Sequence, residues 1–167
     1  MPEQPFLSVV IPARNEAENV RPLVAEVRKA LDGVFDYELI YVDDGSTDAT
    51  GETLKALVAE GFDQLRVFRH EKSTGQSFAV LTGARAARGE WLVVLDADGQ
   101  NDPADIPRLL EKMAEGYDVV SGWRQKRRDP LVTRRLPSLI ANRLLSVVTG
   151  VKLRDYGCSL KAYRAEF

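Results

Sequence analysis

The chain has one cysteine, Cys158, in 167 residues. No disulfide can form within it, which agrees with a reducing compartment, and the thiol reads as a small packed hydrophobe. His70 is the only histidine; at a strand end, it reads as structural rather than catalytic. No run of about 18 apolar residues occurs, so no helix is expected to span a bilayer. The N-terminus has no basic stretch followed by an apolar one, and no secretory leader is expected. No Gly-x-Gly-x-x-Gly follows the first strand, where Pro12-Ala13-Arg14-Asn15-Glu16 stands, and no Walker loop occurs. The missing glycine fingerprint disfavours an NAD-type oxidoreductase. Internal repeats, low-complexity segments and linkers are absent as well.

What is present fits one globular domain able to bury a core, with 44% hydrophobic and 29% charged residues. The net charge of -2 conceals an asymmetry. Residues 1–119 carry 12 Lys/Arg against 22 Asp/Glu, whereas residues 120–164 carry 11 Lys/Arg against only Asp129 and Asp155. That cationic tail suits ligand phosphates, anionic lipid head groups or nucleic acid, or forms a solvated basic face.

Hydrophobic patterning alternates strand and helix. Leu7-Ser8-Val9-Val10-Ile11-Pro12 is a β-rich run closed by a proline. Asn15-Glu16 opens a helix with Val20, Leu23, Val24, Val27 and Leu31 at helical spacing, and Gly33 stops it. Glu38-Leu39-Ile40-Tyr41-Val42 is a second strand running into Asp43-Asp44-Gly45-Ser46-Thr47-Asp48. Gly45 permits a tight turn, and Ser46, Thr47 or Asp48 caps a helix carried by Leu54, Leu57 and Val58. A third strand at 65–69, a polar loop at 70–76 around Gly75, and a small-residue helix at 77–88 ended by Gly89 follow. Residues 91–95, too short for a helix, read as a buried fourth strand. Asp102 and Pro103 open a helix marked by Ile106, Leu109, Leu110 and Met113. A fifth strand falls at 117–121 and a last one at 158–164.

This alternation implies an α/β fold with a mostly parallel sheet and right-handed crossovers. Its strand ends share one edge, where open α/β sheets place ligands. Asp43, Asp44, Asp96 and Asp98 should therefore converge there with Glu16. Asp96 and Asp98 repel each other unless a cation, a proton or a basic partner compensates them. A hard divalent ion held by one or two carboxylates, waters and substrate phosphates meets that need; an Asx-rich turn is the plain alternative.

Three segments, in this order and spacing, resemble the inverting family 2 glycosyltransferases with the nucleotide-sugar-binding GT-A fold. They are Val10-Ile11-Pro12-Ala13-Arg14-Asn15-Glu16, Val42-Asp43-Asp44-Gly45-Ser46-Thr47-Asp48 and Asp96-Ala97-Asp98-Gly99-Gln100. A later series narrows the likeness: Ser121-Gly122-Trp123-Arg124, Arg134-Arg135-Leu136-Pro137-Ser138, Asn142-Arg143-Leu144, Thr149-Gly150 and Asp155-Tyr156-Gly157-Cys158. That series is similar to the polyprenyl-phosphate glycosyltransferases, the dolichol-phosphate mannosyltransferase group and its bacterial relatives. The likeness covers nearly the whole chain.

The resemblance implies a three-layer GT-A sandwich and a single catalytic domain over residues 1–167. It further implies inverting transfer of a sugar from a UDP- or GDP-sugar to a polyprenyl phosphate, for cell-envelope glycan at the cytoplasmic membrane face. Pro12, Arg14, Glu16 and Asp44 would contact base and ribose. Arg14 stands where a tyrosine is often found, which leaves the base open. Asp96 and Asp98, with Gln100, would hold Mg²⁺ or Mn²⁺ on the diphosphate, placing Asp96 among the nucleotide contacts and Asp98 in catalysis. Arg124, Arg134 and Arg135, with the Ser138 hydroxyl, are the implied grip on acceptor phosphate, a task that suits guanidinium. Asp155 is implied near the reacting centre as general base, acceptor-orienting group or metal contact. Residues 136–148 place Leu139, Ile140, Leu144, Leu145 and Val148 beside Arg135 and Arg143, a stripe that suits a membrane surface or a core.

Relatives continue past this length with a further helix, a strand and a basic segment, and many add transmembrane helices. A C-terminally shortened domain is therefore expected, with a membrane surface as partner, no nucleic acid, and homo-oligomerisation left open. Two other readings stand beside this one. The same fold with a saccharide or protein hydroxyl acceptor would need a true base at Asp155; alternatively, the chain is a non-catalytic module that binds nucleotide and metal.

Overall fold

A computed structural model describes residues 6–123 and 157–166. Four strands, β1 (Leu7–Ala13), β2 (Tyr37–Asp43), β3 (Leu65–Arg69) and β4 (Trp91–Val94), are parallel to one another. Beyond β4 the sheet changes character. After β5 (Val119–Ser121), β6 (Lys161–Arg164) inserts antiparallel between β4 and β5, giving the order β3-β2-β1-β4-β6-β5. The sheet is thus mostly parallel, as the alternation of elements implies, with one reversed strand that spacing does not reveal.

Helices α1 (Ala17–Leu31), α2 (Thr50–Ala59) and α4 (Ile106–Ala114) bury their apolar stripes in one cluster with the side chains of Leu7, Val9, Ile11, Leu39 and Tyr41. The alternate residues Val10, Ile40 and Val42 face the other way and pack on Ala79 of α3 (Gln76–Ala86). Period-two alternation along β1 and β2 therefore supplies both faces of a three-layer α/β/α arrangement. The expected helical stripes are buried, except that Val58 is exposed on α2. A 3₁₀ turn (Pro103–Asp105) precedes α4, and Asp102 Oδ1 accepts from Ala104 N at 2.9 Å, the expected N-cap. Strand β4 stops one residue earlier than expected, yet Leu95 N still donates to Val10 O at 3.0 Å.

At the N-terminal edge of the sheet, buried Glu38 fastens the turn between α3 and β4. Its Oε1 accepts from Ser8 Oγ and Arg88 N, both at 2.7 Å, and its Oε2 from Arg66 Nη1 at 2.5 Å. Ser8 Oγ in turn accepts from Gly89 N at 2.9 Å. The buried Ser8 hydroxyl and Glu38 carboxylate thereby find partners, and this edge is braced rather than open.

Helix α3 lies close on the sheet because Gly83 has no side chain. A Cβ there would overlap Val10 Cγ1 and stand 3.2 Å and 3.3 Å from Val10 Cγ2 and Val42 Cγ2. Gly83→Ala is expected to destabilise the fold by about 1–3 kcal/mol, the usual range for overpacking. Urea denaturation measures this; a midpoint equal to or above that of the native chain would contradict so close a contact.

Candidate functional site

Strands β1, β2 and β4 end at one edge, and the turns leaving β1 and β2 are stitched together. Asp44 N donates to Ala13 O at 2.8 Å, Asn15 N to Ser46 Oγ at 2.9 Å, and Glu16 N to Thr50 Oγ1 at 2.8 Å. Thr47 N returns to Asn15 Oδ1 at 2.9 Å. Asn15 sits at φ 57°, a left-handed conformation that asparagine tolerates. The N-cap of α2 is Ala49 rather than Ser46, Thr47 or Asp48; Asp48, one residue earlier, accepts from Thr50 N at 3.0 Å and Ala17 N at 3.2 Å and so ties this turn to α1. Several motif residues thus build the paired turns themselves.

Asp43, expected among the converging acids, does not line the cleft at this edge. As the last residue of β2 it shares the face of Tyr41, toward the α1 and α2 layer, and is fully buried. Its Oδ1 accepts from Ser46 N at 2.9 Å, and Arg69 Nε lies 3.4 Å from Oδ2. One residue later the chain presents Asp44 on the opposite side.

Asp44 is 3% exposed, and its carboxylate accepts from five donors of the loop after β3. These are His70 Nδ1 (2.7 Å), Ser73 Oγ (2.7 Å), Thr74 N (2.8 Å), Thr74 Oγ1 (2.9 Å) and Gly75 N (2.9 Å). An ionised carboxylate only accepts, so His70 donates through Nδ1. Its Nε2 lies 3.0 Å from Thr82 Oγ1, which gives the histidine the structural part expected of it. Burial alone would push the Asp44 carboxyl up. The bonds from Thr74 N, His70, Ser73 and Gly75 N outweigh it and hold the group well below the usual carboxylate range. Gly45, at φ +66°, lets the loop lie this close: a Cβ would stand 2.6 Å from Ser73 N and 2.7 Å from Lys72 C.

A cleft of about 340 Å³ opens above these turns. Pro12, Arg14, Glu16, Asp44, Asp96 and Asp98 all line it, so six of the site residues named from sequence meet in one place. Ser73, Gly75 and Gln76 line it too, and sequence reading missed them. The signal available was a polar loop opening a helix, but its anchors, Asp44 and Asp96, lie 20 to 31 residues away along the chain. Arg14 is exposed and makes no ion pair with another described residue. Glu16 Oε2 accepts from Asn19 Nδ2 at 2.6 Å.

Gln100 is not brought to this cleft. It borders a second one, of about 730 Å³, along with Asn101, Trp123, Cys158 and Leu160. Its backbone N donates to Asp98 Oδ1 at 3.0 Å, closing a tight Asx turn. Asn101 Nδ2 donates to Ser159 Oγ at 2.8 Å, and the buried Cys158 Sγ lies 3.5 Å from Asn101 Oδ1. The turn after β4 is thereby tied to the strand segment entering β6. Arg124, Arg134, Arg135, Ser138 and Asp155 lie outside the described residues.

No group of three or more His, Cys, Asp or Glu among the described residues forms a metal cage by itself. The donors at the cleft are oxygens only: Asp98 is exposed, and Asp96 Oδ1 is engaged by Gln76 Nε2 at 2.6 Å. Two carboxylates beside open space fit a hard divalent ion whose shell is completed by water and phosphate.

With this geometry in place, comparison with known proteins identifies the family. The family model described as "Glycosyl transferase family 2" matches residues 8–167, and the chain belongs to that family. It is similar to a dodecaprenyl-phosphate galacturonate synthase of Rhizobium johnstonii, 44% identical over 161 residues, covering 95% of this chain and 48% of the relative. An undecaprenyl-phosphate 4-deoxy-4-formamido-L-arabinose transferase of Shewanella sediminis is 39% identical over 160 residues, covering 95% and 48%. Among solved structures it resembles glucosyl-3-phosphoglycerate synthase from Mycobacterium tuberculosis in complex with Mn²⁺, UDP and glucosyl-3-phosphoglycerate. There the TM-score is 0.72 at 25% identity, with 97% of this chain and 57% of that one covered. The fold is GT-A. The chain spans about half the length of the curated relatives it matches.

The Asp44 network generates a prediction. Because the folded carboxyl is held below its ordinary value of about 3.9, it contributes stability present above that pH and lost as pH falls. Asp44→Asn puts an amide against Ser73, Thr74 or Gly75 donors and should cost about 1–3 kcal/mol at neutral pH. The gap between native and variant should narrow as the solution is acidified below about pH 4. Denaturant titration of both chains at the two pH values tests this, and a gap that stays constant would contradict the assigned role.

Proposed function

We propose that this chain is the catalytic part of a polyprenyl-phosphate glycosyltransferase that uses a UDP- or GDP-sugar and inverts the anomeric configuration. The observation that carries the reading is the meeting of Glu16, Asp44, Asp96 and Asp98 at one cleft where three parallel strands end. Relatives named for dodecaprenyl and undecaprenyl phosphate support the acceptor class, and a fold relative bound to UDP and Mn²⁺ supports the donor class.

On this reading Pro12, Arg14 and Glu16 border the base and ribose, and Asp44 holds the loop that closes that side. Asp96 and Asp98 hold Mg²⁺ or Mn²⁺, and Gln100, which borders the other cleft, leaves the expected set of ligands. The ion, when bound, supplies Lewis-acid neutralisation of the charge building on the departing nucleoside diphosphate. A phosphate oxygen of the lipid acceptor forms the bond to the anomeric carbon. The bond from that carbon to the diphosphate oxygen breaks, and its electron pair leaves with the nucleoside diphosphate. Attack opposite the leaving group inverts the centre. A lipid phosphate is already anionic, so it needs little deprotonation, but it must approach an anionic donor. Arg124, Arg134 and Arg135, with Ser138, offset that repulsion in this account, and Asp155 orients the acceptor or takes a proton from it.

The reaction is assigned to the cytoplasmic face of the membrane, with the lipid surface as partner. No helix of the described residues is long and apolar enough to cross a membrane, so contact of the described part with lipid would be peripheral.

Two experiments test this. Asp98→Asn should abolish the metal-dependent part of UDP or GDP binding in calorimetric titration, and unchanged Mn²⁺-dependent binding would remove Asp98 from the metal site. Replacing Arg134 and Arg135 together with alanine should weaken use of polyprenyl phosphate while sparing donor affinity. A loss of donor binding would instead move those arginines into the nucleotide site.

A further inference from the structure

We infer that Gln76 is a positioning residue for Asp96, fixing the carboxylate so that one oxygen is tied to the protein and the other is presented to the metal. The inference rests on the donor-site reading above. Gln76 Nε2 donates to Asp96 Oδ1 at 2.6 Å, and both side chains line the cleft. The contact joins two elements that are far apart in sequence: Gln76 opens α3, while Asp96 follows the end of β4. The main chain that leads into Gln76 is held in place, because the preceding Gly75 donates its N–H to Asp44 Oδ2 at 2.9 Å and turns through φ +97° into the helix.

The chemistry of the donor favours this role. A lysine or arginine at the same place would hold the carboxylate but add a positive charge that competes with the cation. A neutral amide orients without competing. Partners of this kind around a ligating carboxylate direct its lone pairs and strengthen metal affinity. A carboxylate that uses a single oxygen also suits Mg²⁺ and Mn²⁺, whose shells take one or two carboxylates along with phosphates and water.

The experiment uses the native chain, Gln76→Ala and the near-isosteric Gln76→Met. Mn²⁺ affinity is measured by electron paramagnetic resonance in saturating UDP or GDP, nucleotide affinity by calorimetry in EDTA, and folding by thermal melting. Both variants should bind Mn²⁺ about tenfold more weakly, with a smaller change in nucleotide affinity in EDTA and an unchanged melting temperature, since Gln76 is exposed. Native Mn²⁺ affinity in Gln76→Met would overturn the inference, because the amide that donates to Asp96 is gone while the side chain keeps its length. A fall in melting temperature or in EDTA affinity matching the loss of Mn²⁺ binding would also overturn it, by making the contact structural. If instead the native chain binds nucleotide equally with and without Mn²⁺, the donor-site reading itself fails and the inference fails with it.

Discussion

The edge that forms the cleft depends on one buried carboxylate. Asp44 is almost wholly shielded from water, and a charge in that position is tolerable only because five donors converge on it. Those donors all belong to residues 70–75, so satisfying Asp44 also folds the loop that walls the cleft and sets where α3 begins. The helix start, the position of Gln76 and through it one oxygen of Asp96 follow from that local electrostatic requirement. A second tie, from Asn101 to Ser159, holds the turn after β4 against the segment that enters the sheet as its antiparallel strand. The carboxylates at the cleft are therefore fixed from both sides by hydrogen bonds made elsewhere.

The two edges of the sheet are built for different purposes. At the N-terminal edge Ser8, Glu38 and Arg66 satisfy one another and the turn at Arg88 and Gly89. At the other edge Asp98 and Arg14 are left exposed beside open volume. Charges of both signs with no ion-pair partner among the described residues suit a ligand that brings anionic phosphates and, with them, a cation. The braced edge, in contrast, ties its buried Glu38 carboxylate to three side-chain and main-chain partners.

Much of this was legible from residues alone. The α1 and α4 stripes, the parallel β1 to β4 core and the capping by Asp102 follow from local periodicity and end chemistry, which act over a few residues. The family motifs also located the cleft, because Pro12, Arg14, Glu16, Asp44, Asp96 and Asp98 all reach it. What escaped depends on contacts distant in sequence. Asp43 and Asp44 look equivalent in a sequence, yet the alternation of β2 sends the first toward Arg69 and the second toward the loop. The reversed direction of β6 is set by its fit between β4 and β5, which no spacing records. Ser73, Gly75 and Gln76 read as an ordinary polar loop because their partners lie in other strands.

Paramagnetic broadening in the amide NMR spectrum tests the central claim most directly, since it locates the metal without assuming which residues hold it. With nucleoside diphosphate present, substoichiometric Mn²⁺ should broaden the amides of residues 96–100 and of Gly75 and Gln76 first, leaving Ser8, Glu38 and Gly89 at the braced edge sharp. Broadening centred on the braced edge, or spread evenly over the molecule, would contradict a metal and donor site at the ends of β1, β2 and β4.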